Sequence, residues 1–449
     1  MNQPLRLRPL VHFTVSRGWT NDPYGVRSVN GEYHMFFQHV PHCTQWSPEC
    51  HWGQAVSPDL IRWTETGTAL TPEPDEIGCW SGSCVVDETG PVLLYTRIAT
   101  DDWGRGQVAL ARATRGMMEW KRQPVAPVIS GPPEGQPIVA CRDPFVWGTG
   151  AGWRAVLGAG LVGMGGCAIQ YSSSDLENWT LDGILAARSG AERDPEWTGM
   201  VWECPQLFEL DGTWVLLVSV WENDKLYHVA YALGDYDGHQ FQPRKWGRFS
   251  YGPELYATTA FTDDQGRRCA MSWMRERNNT APENSPWASA MSLPHILTID
   301  HDRLVVGQHP ALDAYFADVR RHVDVAHRVN VDLGEVGLLW RFTARIAISA
   351  GGHLELRVDH HGEHSWALEI NGMRLIVAEP AADAPLIEMS LTGDVGLLDI
   401  VVDTDILEVT WSGGSGIAAT RIPANPRAEI VITADEQVQV NDVEISRPQ

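Results

Sequence analysis

One phrase, Asp-Leu-x-x-Trp, recurs along the first half of the chain at a nearly constant spacing. It occurs at 59–63 and 175–179, with a degenerate copy at 117–120 and a weaker one at 237–241. The aromatic positions 63, 120, 179 and 241 are 57, 59 and 62 residues apart. Short strands and turns fill the intervals, and few windows favour a long amphipathic helix. Four short strands at this period are typical of a β-propeller, and roughly the first 300 residues provide about five blades.

The pattern changes after about Val306. Pro310 to Arg321 is predicted to form a short linking helix, and alternating strands without cysteine follow. Asn371-Gly372 between two alternating runs indicates a hairpin, because Asn-Gly supplies the positive φ of a type I′ turn. We therefore expect an all-β fold, with a five-bladed β-propeller over 1–306, a linker over 307–321 and a C-terminal β-sandwich over 322–449.

Acidic and polar motifs follow the same period. The five motif residues, separated by 59, 62, 60 and 53 positions, are Asp22, Ser81, Asp143, Glu203 and Tyr256. The first strand of each propeller blade lines the central channel. Because the motifs occupy equivalent positions in successive blades, three carboxyl groups that are distant in sequence should meet in a single pocket.

Each motif alone is weak evidence. Asn-Asp-Pro-x-Gly around Asp22 is also an ordinary turn. Arg193-Asp194-Pro195 repeats the residues of the Asp143 motif, but it is out of phase and precedes Glu196, so we interpret it as a surface turn. Glu203 lies between Trp202 and Cys204, and an apolar environment would raise its pKa as a general acid requires.

Three carboxyl groups in one pocket suit the cleavage of a glycosidic bond. A retaining mechanism needs one carboxylate that attacks the anomeric carbon and a partner that donates a proton to the leaving oxygen. A third group can bind sugar hydroxyls and stabilise the transition state. We assign Asp22 as nucleophile, Glu203 as acid/base and Asp143 as stabiliser, and we expect Arg142 to keep Asp143 ionised.

The 449-residue chain carries a formal net charge of −23. This sign argues against nucleic acid or an anionic membrane surface as a partner and is compatible with a neutral substrate. No apolar run approaches the length of a membrane span, and Arg6, Arg8 and Pro9 interrupt any signal-peptide pattern at the N-terminus. We expect a cytoplasmic protein, and the sequence leaves its oligomeric state open.

The eight cysteines are scattered without the dense spacing of a disulfide scaffold, so we expect mostly reduced thiols. One segment is rich in potential metal ligands, namely His39, His42, Cys43, Cys50 and His51. Its Cys-x6-Cys spacing is not usual for zinc, and we predict neither a metal nor a cofactor.

The set of motifs, in order, resembles glycoside hydrolase family 32, the invertase, inulinase and levanase group of β-fructofuranosidases. The resemblance covers roughly residues 12–300 and rests on Trp19-Thr20-Asn21-Asp22-Pro23, Phe36-Phe37-Gln38, the segment His51 to Trp63, Trp80-Ser81-Gly82-Ser83, Arg142-Asp143-Pro144 and Trp202-Glu203-Cys204-Pro205. It implies a five-bladed propeller, a retaining mechanism without metal, and release of fructose from a non-reducing end. We expect a small neutral substrate, namely sucrose or a short fructo-oligosaccharide. It also implies that the fructosyl pocket is lined by Asn21, Gln38, Trp46, Trp80, Ser81, Arg142, Tyr256 and Trp273.

The chain departs from the family pattern at three places. Tyr24 replaces a second Asn after Asn-Asp-Pro, Gln206 replaces a common Asp, and Thr258 follows Tyr256-Ala257 in the fifth motif. We expect these departures at the rim and leaving-group site, where they would alter substrate preference.

Two other readings remain open. The propeller could transfer fructosyl groups or act on arabinose-containing glycans by inversion. A non-catalytic sugar-binding propeller would be expected to lack one of the three carboxylates, and all three are present.

Overall fold

The computed structural model describes residues 6–124, 126–323, 329–380, 382–412 and 416–449. Nearly all regular structure in these ranges is β-strand, as expected for an all-β chain. No helix among the described residues is long and apolar enough to cross a membrane.

The first four sheets each use four consecutive strands in antiparallel order. They contain β1 (Gly18–Val29), β2 (Glu32–Val40), β3 (His51–Ser57) and β4 (Thr64–Leu70); β5 (Gly78–Asp87), β6 (Gly90–Ile98), β7 (Gln107–Arg115) and β8 (Glu119–Arg122); β9 (Ile138–Thr149), β10 (Gly152–Leu161), β11 (Gly165–Ser173) and β12 (Trp179–Ala187); and β13 (Val201–Leu210), β14 (Thr213–Glu222), β15 (Lys225–Tyr236) and β16 (Phe241–Arg248).

The fifth sheet closes on the first. Its region contains β17 (Ser250–Tyr251), β18 (Leu255–Thr262), β19 (Arg268–Met274), a 3₁₀ turn (Arg277–Asn279), β20 (Trp287–Ala288), β21 (Ala290–Met291), β22 (His295–Asp300) and β23 (Arg303–Gln308). The sheet order is β18-β19-β22-β23, β21 pairs with β19, and β20 pairs in parallel with β1. The first strands contact one another in a closed cycle, β1 with β5, β5 with β9, β9 with β13, β13 with β18, and β18 with β1.

The recurrent Asp-Leu-x-x-Trp phrase has a structural cause. All four copies lie between the third and fourth strands of a sheet. Asp59 and Asp175 each accept backbone N–H bonds from residues two and three positions further on, at 2.8–3.0 Å. The indoles of Trp63 and Trp179 donate to the carbonyl of the preceding Leu, whose φ is 70° in one copy and 69° in the other. The repeat therefore specifies one turn geometry.

The remaining strands form two further sheets. After α1 (Ala311–Tyr315) come β24 (Asp318–Val323), β25 (Val329–Val336), β26 (Leu339–Ile348), β27 (His353–His360), β28 (Glu363–Asn371), β29 (Arg374–Ala378), β30 (Ile387–Ser390), β31 (Val395–Asp403), β32 (Ile406–Trp411), β33 (Ile417–Arg421), β34 (Ala428–Ala434) and β35 (Val438–Arg447). Their orders are β17-β33-β32-β31-β26-β35-β24 and β25-β34-β27-β28-β29-β30.

A single apolar cluster lies between these two sheets and includes Trp340 and Trp366, whose rings stack at 6.4 Å. The predicted hairpin is confirmed, since β28 and β29 pair around Gly372 with a φ of 55°. The predicted linking helix is wrong in length. It ends at Tyr315, and Asp318 already begins a strand that pairs with β35.

A buried ionic cluster joins the N-terminal segment to the later sheets. The Asp403 carboxylate accepts N–H bonds from Leu10, Val11 and His12 at 2.7–3.0 Å. The His12 ring lies 2.9 Å from Asp403 and 3.2 Å from Glu408, which also contacts His295 at 3.2 Å. Burial alone would lower the pKa of His12, but its contacts with these two carboxylates raise it to about 9.

We predict that this cluster makes the protein less stable as the pH becomes alkaline. An unfolded histidine titrates near 6.5. The stabilisation from His12 is therefore complete below about pH 6.5 and is lost as the pH rises through about 9. Between those limits the free energy of unfolding should fall by about 2–3 kcal/mol more in the wild type than in His12→Gln.

Urea unfolding at pH 6, 7.5 and 9 measures this difference. His364→Gln, at an exposed position, is the control and should follow the wild-type profile. Parallel pH profiles for wild type and His12→Gln would contradict the prediction.

Candidate active site

Each first strand carries a β-bulge at its motif residue. Pairing registers shift at Asp22, at Ser81, next to Asp143, after Glu203 and after Tyr256. Left-handed backbone accompanies four of these bulges, with φ values of 39° and 61° at the two Asp residues, 47° at the residue after Glu203 and 46° at the residue after Tyr256. A bulge bends its strand and re-aims a side chain. The five bulges therefore direct one side chain from each sheet toward a common site.

The Asp22 side chain is half-buried, and its carboxylate is surrounded by donors. It accepts hydrogen bonds from Asn21 Nδ2 at 3.0 Å, from Gln38 Nε2 at 3.0 Å and from Ser81 Oγ at 2.7 Å. The Cys204 thiol lies 3.6 Å from its Oδ2 atom. These donors hold both oxygens in fixed positions, and three predicted pocket residues meet at this one group.

Glu203 has a different set of partners. Arg142 donates to its Oε1 atom from Nη2 at 2.7 Å and from Nε at 3.2 Å, and Tyr256 donates to Oε2 at 2.5 Å. Of its two sequence neighbours, Trp202 does not make the surroundings apolar, because its ring packs on Trp246 at 5.4 Å, whereas Cys204 does lie in an apolar cluster with Tyr256. Side chains alternate between the two faces of a strand, so Trp202, the residue before Glu203, faces away from the site.

Asp143 lies close enough to both other carboxyl groups for their charges to act on it. Its Oδ2 atom accepts a hydrogen bond from the Cys204 backbone N–H at 3.0 Å and lies 3.7 Å from the Cys204 sulfur. Its own N–H donates to the Thr96 hydroxyl at 2.8 Å. Cys204 therefore contacts both aspartates, a role that its place in the Trp-Glu-Cys-Pro motif did not reveal.

Burial dominates the electrostatics of the site. It raises the pKa of Asp22 to about 6, against the hydrogen bonds from Ser81 and Asn21. Burial also raises the pKa of Asp143 well above its ordinary value, and the charge of Arg142 only partly opposes this. The expectation that Arg142 keeps Asp143 ionised is thus wrong, since its guanidinium pairs with Glu203 instead.

The predicted tryptophans divide into two groups. Trp80 and Trp273 are buried, and Trp273 contacts the rings of Trp19 at 5.7 Å and Tyr256 at 6.4 Å. Trp46 is 40% exposed and lies against Trp80 at the rim. Trp46 is therefore not among the residues that pack around the carboxyl groups.

The departures from the family pattern lie deeper than expected. Tyr24, Gln206 and Thr258 line one small cavity together with Asp143 and Cys204. All three are buried, and Tyr24 packs on the Trp52 ring at 4.2 Å. The expectation that they form the rim is wrong, because the bulges turn these positions into the channel interior.

The His/Cys-rich segment does not bring three potential ligands within 4.8 Å of one another, whereas Asp263, Cys269 and His309 do approach this closely. There, His309 Nδ1 accepts the Ala311 N–H, which leaves Nε2 to donate to Asp263 at 3.1 Å. Arg267 donates to the same carboxylate oxygen at 2.6 Å. This cluster is accounted for as a buried ion pair.

The out-of-phase Arg193-Asp194-Pro195 motif is separated from the site. Asp194 is exposed on the connection between β12 and β13, where its backbone carbonyl accepts from Arg188 at 2.8 Å. The interpretation of this motif as a surface turn is confirmed.

Comparisons with known proteins identify the group to which the chain is similar. The model of the Glycosyl hydrolases family 32 N-terminal domain matches residues 12–310. Sucrose-6-phosphate hydrolase of Escherichia coli is 29% identical over 96% of this chain and 93% of that protein. Levanase of Bacillus subtilis is 35% identical over 65% of this chain and 45% of that protein.

A similar solved structure is the GH32 β-fructofuranosidase of Bombyx mori. It superposes with a TM-score of 0.81 at 25% identity, covering 98% of this chain and 94% of that one.

Tyr24 lines the cavity, and its hydroxyl group allows a test of hydrogen bonding. Its hydroxyl is buried and has no hydrogen-bond partner among the described residues. The hydroxyl of Tyr95, which also packs on Trp52, donates to Glu76 at 2.6 Å and accepts from Arg122 at 2.7 Å. Tyr24→Phe should leave the free energy of unfolding unchanged or raise it by up to about 1 kcal/mol, whereas Tyr95→Phe should lower it by roughly 1–3 kcal/mol.

Urea unfolding at pH 7 compares the two variants. Equal losses of stability in both would show that the Tyr24 hydroxyl is as well satisfied as that of Tyr95.

Proposed function

The chain belongs to glycosyl hydrolase family 32, and we propose that it is a β-fructofuranosidase that releases terminal fructose from sucrose or short fructo-oligosaccharides. One observation carries the proposal: three carboxyl groups, one buried and two half-buried, share a site with the Arg142 guanidinium. Such a cluster is unfavourable for folding alone and suits acid/base and nucleophilic chemistry.

In the proposed mechanism, Asp22 attacks the anomeric carbon of the fructosyl group. Glu203 donates a proton to the leaving oxygen, and an ester forms between the sugar and Asp22. Water then attacks the same carbon while Glu203 accepts its proton, so that fructose leaves with its configuration retained. Asp143 binds sugar hydroxyls and stabilises positive charge in the transition state.

The supply of the proton is a property of the whole cluster. Carboxyl groups that interact this strongly titrate as a set rather than singly. The raised pKa values of Asp22 and Asp143 mean that the cluster retains a proton near neutral pH. We propose that substrate binding moves this proton to Glu203, whose contacts with Arg142 and Tyr256 orient it.

We propose the same domain division that the sequence predicts, with a five-bladed propeller over 1–306, a linker over 307–321 and a β-sandwich over 322–449. The cycle of contacts among β1, β5, β9, β13 and β18 supports the propeller. The apolar cluster between the two later sheets supports the sandwich. A cytoplasmic location stays a prediction, and the eight free cysteines agree with a reducing compartment.

Substitution of the carboxyl groups tests the function. Asp22→Asn, Asp143→Asn and Glu203→Gln should each lower kcat/KM for sucrose by about 10³-fold or more, because each removes a group required in the transition state. Asp194→Asn is the matched control, since it alters the same Arg-Asp-Pro sequence at an exposed site. It should retain wild-type activity.

Fructose release is measured over sucrose, kestose, inulin and levan, and the first-formed anomer is identified by NMR. Near-wild-type activity in Asp22→Asn would eliminate the nucleophile role. An inverted first product would exclude the covalent mechanism, and accumulation of longer oligosaccharides would identify fructosyl transfer.

The Ser81 hydroxyl should set the pH at which kcat/KM falls on the acid side (the acid limb) of the pH profile. Asp22 must be ionised to attack, so kcat/KM should fall as the pH drops below about 6. Ser81→Ala removes a hydrogen bond that stabilises the charged form. A bond of this kind contributes about 1.5–3 kcal/mol, so the limb should move upward by roughly one to two pH units.

Ser83→Ala is the control, because the Ser83 hydroxyl on the same strand bonds the backbone of Pro144 and Val146 rather than Asp22. Sucrose hydrolysis between pH 4 and 8 measures both variants. If the acid limb of the pH profile does not move in Ser81→Ala, the fall in activity at low pH is not due to protonation of Asp22.

A further inference from the structure

We infer that Trp103, together with Trp46, forms a stacking surface for the leaving sugar ring, and that this ring is uncharged. The inference rests on the proposed fructose-releasing function and adds a residue that no sequence motif indicated. Among the tryptophans, Trp46 and Trp103 are the exposed ones, at 40% and 41%. Broad exposed aromatic faces at a cleft rim suit sugar rings, which present apolar C–H faces.

Three rings form one cluster at the rim. The rings of Trp46 and Trp103 meet edge to face at 5.7 Å, and both contact Trp80, at 5.6 Å and 6.4 Å respectively. The buried Trp80 is itself fixed, since its indole N–H donates to the Pro48 carbonyl at 2.9 Å. The two exposed rings are thus supported by a ring that cannot easily turn.

The cluster lies on the side of the site that holds the acid. The Arg142 guanidinium is 5.9 Å from the centre of the Trp80 ring and bonds Glu203 at 2.7 Å. A general acid protonates the oxygen of the leaving group, so the leaving ring must emerge on the Glu203 side. A ring in that position meets the face offered by Trp46 and Trp103.

The segment that carries Trp103 is held in place by the catalytic strand. The Cys141 N–H donates to the Gly104 carbonyl at 2.9 Å, immediately before Arg142. The Arg105 N–H closes a turn on the Asp102 carbonyl at 3.0 Å. A Cβ atom at Gly104 would lie 2.6 Å from the Val139 carbonyl oxygen, so this close approach requires glycine. A surface fixed in advance loses less entropy when it binds.

Charge around the cluster favours an uncharged ring. The exposed Asp101 and Asp102 directly precede Trp103, and one cation, Arg105, follows two residues after it. The chain as a whole carries −23. A phosphate on the leaving ring would meet net negative charge here, whereas a neutral glucosyl or fructosyl ring would not.

The test compares substrates that differ only in the leaving group. Trp103→Ala should lower kcat/KM for sucrose by roughly five- to tenfold, because a stacking contact is lost. With methyl β-fructofuranoside, whose leaving group has no ring, the change should stay within about twofold. Trp103→Phe should retain most of the sucrose activity. Wild type should also prefer sucrose to sucrose phosphorylated on the glucosyl ring.

Leu181→Ala is the matched control, since this exposed apolar residue lies on the outer strand β12. It should change neither substrate's kinetics, and urea unfolding should show that Trp103→Ala remains as stable as wild type. If Trp103→Ala lowers kcat/KM equally for both fructosides, or leaves kcat/KM for sucrose unchanged, the stacking role is overturned. Fructose release by the wild type would still uphold the proposed function. A preference for the phosphorylated sugar would overturn the uncharged-ring assignment. Failure of wild type to release fructose from either fructoside would overturn function and inference together.

Discussion

The partial burial of three carboxyl groups in one small site is the constraint on which the rest of the structure depends. Taking such groups out of water is costly unless donors replace the lost hydration. Here each sheet contributes: Gln38 comes from the first sheet, Ser81 from the second, Arg142 from the third, Cys204 from the fourth and Tyr256 from the fifth. No subset of the sheets satisfies all three carboxyl groups. Closure of the cycle of first strands is therefore a condition for the site and for the stability of the channel alike.

Buried polar groups also need partners where the later sheets meet the closed cycle of first strands. The chain enters the first strand from a segment whose backbone N–H groups are buried beside Asp403. Arg6 pairs with Glu276 at 2.7 Å and Asp405 at 2.9 Å, so one N-terminal side chain contacts two distant regions. β17 adds a parallel pairing to β33. Polar groups on each side of this junction find their hydrogen-bond and ion-pair partners on the other side. The closed cycle of sheets and the later sheets therefore stabilise each other.

Periodicity predicted much of this molecule because one bulge position recurs in all five sheets of the closed cycle and one turn phrase recurs in four of them. The phase of Asp22, Asp143 and Glu203 could be read from spacing alone. Their partners could not, because a bulge changes which neighbour faces the channel. For that reason the sequence pattern pairs the guanidinium of Arg142 with Asp143 instead of Glu203 and places Tyr24 at the rim instead of in the cavity. Contacts such as those of Trp103 depend on how separate connections meet at one face, and no short motif records this.

Charge then links the channel to the choice of substrate. Three carboxyl groups face one guanidinium, so the site carries excess negative charge whenever more than one carboxyl group is ionised. Burial and mutual repulsion respond by raising the pKa values of Asp22 and Asp143, which lowers this excess near neutral pH. An anionic substrate would increase the repulsion and raise these pKa values further, so that a smaller fraction of Asp22 would be ionised. A neutral sugar avoids this conflict, and the acidic residues at the rim extend the same preference outward from the reacting carbon to the leaving ring.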